Sequence, residues 1–154
     1  MKLFTFLLTL MIPVAAFSQN NWKDIAVIDE LEIYVDTLKI EKKGNFLQAQ
    51  VKTVYMTKDT KSAYVNKIRQ SYPKQDNKLD KKMKKWDDFS YNISTRIYDC
   101  SNKQYMTTEI TDYSSNGKKI IKTKTSKKNQ QWAKVGIDTM GDYTLYFICD
   151  YNSL

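Results

Sequence analysis

Apolar and polar positions alternate along most of the chain. WKDIAVID places Trp22, Ile25 and Val27 among polar neighbours, and LEIYVD sets Leu31, Ile33 and Val35 against Glu32, Tyr34 and Asp36. A period of two in β-branched and aromatic residues predicts strands. KKGN at 42–45 is a turn signal, and FLQAQVKTVYM resumes the alternation from Phe46, so the strands on either side of this turn are expected to form a hairpin. A second set begins at FSYNISTRIYDC, with Phe89, Tyr91, Ile93, Thr95 and Ile97 expected on one face and Tyr98 and Cys100 on the other. KQYMTTEITDY continues it, SSNG at 114–117 turns the chain, and KKIIKTKT completes an antiparallel meander. QWAKV around Trp132 fits a short edge strand. The last run, DTMGDYTLYFICDY, reads as strand by its β-branched and aromatic content. It reads equally as helix, with Met140, Tyr143, Phe147 and Tyr151 on one face and Asp138 or Thr139 as the cap.

From about Thr57 to Asp88 the alternation disappears and ten basic residues accumulate. Leu79, Met83 and Trp86 stand at i, i+4 and i+7, which predicts a short amphipathic helix whose remaining surface is lysine. The plainer reading is a solvated helix or a mobile insertion laid on the sheet. If the segment instead binds anions, Lys78, Lys81, Lys82, Lys84 and Lys85 are the residues that would do so.

Residues 1–18, MKLFTFLLTLMIPVAAFS, have a basic start at Lys2, an apolar run and small residues at Ala16 and Ser18. This pattern predicts a secretory signal peptide cleaved between Ser18 and Gln19. The apolar run is shorter than the roughly 20 residues that span a bilayer, so no transmembrane span is expected after cleavage. Residues 19–154 are expected to form a single domain with a lysine-rich insertion at about 57–88. Export also bears on Cys100 and Cys149, the two cysteines of the chain. An oxidising compartment favours a disulfide between them, and a redox pair would call for a closer spacing.

The composition narrows the chemistry. Histidine is absent, which removes the commonest general base and metal ligand, and with only two cysteines no metal site or cofactor is expected. Four single, scattered glycines cannot build a phosphate-cradling loop. The 25 basic residues outnumber 17 acidic ones for a net charge of +8, and Arg69 and Arg96 are the only arginines. Bidentate recognition of bases and phosphates leans on arginine, so a specific nucleic-acid reader is disfavoured. Asp24, Asp36, Asp99, Glu109 and Asp112 read as strand carboxylates facing lysines, and no residue is assigned a catalytic role. Eleven tyrosines are the more unusual feature, and Tyr91, Tyr105 and Tyr113 are candidates for an aromatic binding face.

Several separated features coincide: Trp22 followed by IYVD at 33–36, a Lys-Gly-Asn turn, YDC at 98–100, a strand ending in Tyr113, the SSNG turn, Trp132, and Cys149 within YFIC. Together they resemble the surface-adhesin protein E family of bacterial envelope proteins. The resemblance implies an α+β fold: a bent antiparallel sheet with a C-terminal helix tied to it by a Cys100–Cys149 disulfide. It also implies a dimer that engages extracellular-matrix or other host proteins. No cysteine lies near the expected cleavage site to take a lipid, and the lysine-rich segment looks inserted relative to the family pattern.

The sequence therefore reads as an exported, non-enzymatic binding protein that meets a macromolecular partner, a protein or a polyanion, in the periplasm, at the cell surface or outside the cell. The alternative is a periplasmic accessory module whose concave sheet face holds a small ligand.

Overall fold

The computed structural model describes residues 21–73 and 76–151, so the expected signal peptide lies outside the described residues. β1 (Trp22–Ile28) and β2 (Leu31–Asp36) form the first hairpin, turning through Asp29 and Glu30 at φ 49° and 61°. Positive φ at both turn residues gives the twist that two-residue hairpins need. β3 (Glu41–Lys43) leads through Gly44, at φ +64°, into β4 (Phe46–Tyr55). The expected hairpin is therefore made by β3 and β4, and β2 lies antiparallel to the later half of β4.

Two helices follow. Thr57 and Thr60 cap each other at the start of α1 (Lys58–Ser71), and α2 (Leu79–Met83) runs into a 3-10 turn at Lys84–Trp86. The expected periodicity at Leu79, Met83 and Trp86 holds, with Met83 and Trp86 buried against Phe89. Helix α1 was not expected. Its larger apolar side chains are only Tyr64, Val65 and Ile68, too few among its polar residues to mark a stripe.

β5 (Phe89–Asp99), β6 (Gln104–Ser114) and β7 (Lys119–Lys124) form the expected meander. β8 (Ala133–Lys134) pairs with the edge of β6. The sheet runs β1-β2-β4-β5-β6-β7, antiparallel throughout. The chain ends in α3 (Met140–Tyr151), which settles the ambiguous tail as helix. Thr139 caps it by accepting from the Asp142 amide at 3.3 Å. The buried side of α3 is Gly141, Thr144, Leu145 and Ile148, whereas Tyr143 and Tyr151 of the expected face are exposed. A disulfide joins Cys100, just after β5, to Cys149 in α3, with Cα atoms 5.9 Å apart.

All three helices pack on one face of the sheet. Under α3 lies a core of Ile33, Val35, Leu47, Val51, Tyr98, Leu145 and Ile148. Under α1 and α2, Met83, Trp86 and Phe89 pack with Tyr55, Tyr64 and Ile68. Between these two apolar clusters the same face carries Thr53, Asn92, Ser94 and Arg96, all buried. The expected split of β5 holds from Tyr91 on: Tyr91, Ile93 and Ile97 share the face turned away from the helices, while Asn92, Ser94, Arg96 and Tyr98 point inward. Phe89 still reaches the core because a bulge between Phe89 and Tyr91 shifts the register by one residue.

Candidate binding face

The face turned away from the helices carries a row of aromatic side chains across four strands. Tyr34 on β2 pairs with Lys52 on β4, Tyr91 on β5 lies diagonally to Lys52, and Tyr113 on β6 is opposite Tyr91. The Tyr91 and Tyr113 rings stack with centroids 4.8 Å apart and planes 7° from parallel. Lys52 Nζ sits 4.7 Å from the Tyr91 centroid and 5.6 Å from that of Tyr34. An ammonium between two electron-rich ring faces is attracted to both. Tyr34 donates its hydroxyl hydrogen to Glu32 at 2.9 Å, and that bond is the main reason its phenol titrates above the ordinary range. Burial, then the neighbouring Tyr113, raises Tyr91 as well. The row therefore presents three tyrosines around one lysine, all of them partly exposed to solvent.

The structure brings together Tyr91 and Tyr113 of the three tyrosines expected to share a face, and places Tyr105 elsewhere. Tyr105 lies inside, tilted against Tyr98 at 5.9 Å and under the Arg96 guanidinium at 5.0 Å. Counted by twos, residues 105 and 113 belong to one face. A bulge between Thr95 and Arg96 leaves Thr108 without a partner on β5 and inverts the parity of everything before it. Tyr34 and Lys52 were missed because each is a lone residue in its own strand, and only the register joins them to the row.

The five lysines of the second segment are not gathered into one cluster. Lys82 pairs with Asp76 and lies 5.4 Å from the Tyr72 ring centroid, while Lys78 uses its backbone amide to bond Asp76 at 2.9 Å. Lys81 and Lys84 project into solvent. Lys85 alone meets other basic groups, lining a cavity of about 300 Å³ with Lys118, Lys119 and Ser114.

Four of the five carboxylates named from the sequence have structural partners. Asp112 accepts from Tyr64 Oη at 2.8 Å and Trp86 Nε1 at 2.9 Å, which fastens α1 and the 3-10 turn to β6. Burial pushes its carboxyl up while those two donors pull it down. Asp99 accepts from the Asn102 side chain and amide and from Gln104, and these bonds hold it below the usual range. Glu109 pairs with Lys122 at 2.8 Å, and Asp36 caps the turn at Leu38.

An antiparallel sheet, covered on one side by helices of which the last is fastened by a disulfide and displaying an aromatic row on the other, defines a small α+β scaffold. The chain belongs to the surface-adhesin protein E family, whose model matches residues 22–150. The fold is similar to crystal structures of Haemophilus influenzae protein E. The selenomethionine form matches at 11% identity, a TM-score of 0.52, and coverage of 88% of this chain and 92% of that one. Crystal form II matches at 10% identity, a TM-score of 0.51, and coverage of 87% and 91%. No curated protein matches the chain by sequence. Among the described residues no helix is long and apolar enough to cross a membrane.

Proposed function

We propose that this surface-adhesin family member is an exported, non-enzymatic binding protein that holds an acidic protein partner on the outer face of its sheet. The observation that carries this reading is the Tyr34–Lys52–Tyr91–Tyr113 row. Tyrosine gives large, rigid contact area with a polar tip at low entropic loss, which is why it concentrates where proteins meet. The central Lys52 and a net charge of +8 favour a partner of opposite sign and speed its approach. The carboxylates argue against catalysis in the same terms, since Asp112, Asp99 and Glu109 are each committed to a structural bond.

Retention of the purified protein on immobilised extracellular-matrix and plasma proteins, at low and at high salt, tests the proposal. Retention of at least one protein, weaker at high salt, is expected. No retained protein in either condition would contradict it, and retention only on polysaccharides or lipid would move the partner to another class.

A further inference from the structure

Arg96 is the one arginine of the sheet, and its place on the inner face is unusual. Only 8% of it is exposed. Nε donates to Ser94 Oγ at 3.0 Å and Nη2 to the thioether of Met140 at 3.6 Å, while Nη1 is buried with no hydrogen-bond partner among the described residues. The Tyr105 ring lies beneath the guanidinium carbon. No carboxylate among the described residues forms an ion pair with it. A buried guanidinium with a free donor and a weak sulfur acceptor is poorly compensated, because a desolvated cation ordinarily takes an anion or several oxygen acceptors.

Met140 leads from this group to an open space. Met140 also lines a cavity of about 340 Å³ between α1 and the β1–β2 hairpin, together with Asp29, Leu31, Tyr55, Thr60, Tyr64 and Lys67. That volume lies in the range of small-molecule sites, and aromatic and aliphatic groups supply much of its wall. Methionine has three rotatable bonds and adapts its shape readily. Displacing its sulfur from Arg96 would join the cavity to the guanidinium.

We infer that the cavity between α1 and the β1–β2 hairpin, extended past Met140 to Arg96, is a binding site for a small monocarboxylate with an apolar tail. The carboxylate replaces the Met140 sulfur on Arg96 and takes up Nη1. The tail lies in the cavity against Leu31, Tyr55 and Tyr64. Once the Met140 sulfur leaves Nη2, the Nη1–Nη2 edge of the planar guanidinium matches a carboxylate in two parallel bonds. The site is on the opposite side of the sheet from the aromatic row, so its failure and the failure of the outer-face reading are separate results.

Isothermal titration of the purified protein with octanoate tests the site, with acetate, octanamide and inorganic phosphate as comparisons. Saturable binding of one octanoate is expected, with each comparison at least about tenfold weaker and Arg96→Gln losing at least about tenfold. Should Arg96→Gln fold poorly, the Arg96 Nε–H resonance of the unaltered protein gives a second reading. It is expected to shift with octanoate and to stay in place with octanamide. Absence of saturable binding, undiminished affinity in Arg96→Gln, or an unmoved Arg96 resonance would overturn the assignment. Acetate or phosphate binding as tightly as octanoate would overturn the role of the cavity.

Discussion

Asp112 holds two buried donors from two different elements, so its removal should be felt beyond its own strand. Asp112→Ala leaves the Tyr64 hydroxyl and the Trp86 indole N–H unpaired, and a loss of about 2–4 kcal/mol in urea unfolding is expected. Asp112→Asn keeps one acceptor and should lose about half as much. Tyr55 gives a prediction in pH. Burial foremost raises its phenol to about 12, against a smaller lowering by the Asn92 bond. The native state holds the proton that the unfolded chain releases near pH 10, so this stability is complete below about pH 10 and is lost as pH rises through about 12. Ultraviolet titration of tyrosinate should show one late-titrating phenol fewer in Tyr55→Phe, and that variant should lose stability less steeply over this window. At this scale the sequence was least legible. Arg96 was visible as a letter, but its burial follows from a polar row between two apolar clusters, and no periodicity announces such a row.

The elements were easier to read than their sides. Strands β1, β2 and β4 to β7 followed from alternation and turn residues, because a half-buried strand must repeat by two. Their faces followed except where bulges at Ser90 and Thr108 reset the parity, which turned Phe89 inward and separated Tyr105 from Tyr113. Helix α1 escaped because packing of Tyr64 on Tyr55 and Phe89 stabilises it more than any strong amphipathic stripe. Helix α3 was resolved by family resemblance, since its composition suits either state. The disulfide that fastens it spans a separation of 49 residues, and its reduction should destabilise the protein by about 2–5 kcal/mol. Hydrogen exchange under reducing conditions should show α3 losing protection before β4 and β5. Uniform loss across the sheet would contradict a fastening role.

Across the whole molecule, the two sides of the sheet have different duties. The roofed side buries both apolar clusters and carries the stability, whereas the outer side keeps its tyrosines partly exposed and contributes less. Substitution on the outer side should therefore separate binding from folding. Tyr91→Ala with Tyr113→Ala removes the stacked pair, for which a stability loss of about 1 kcal/mol beyond the lost contact area is expected. The most direct test compares that double variant and the unaltered protein for affinity toward one retained protein partner, with Lys85→Ala as a change on a different surface. The outer-face account predicts at least about tenfold weaker binding by the tyrosine variant, and little change from Lys85→Ala. Full affinity in a folded tyrosine variant would contradict it.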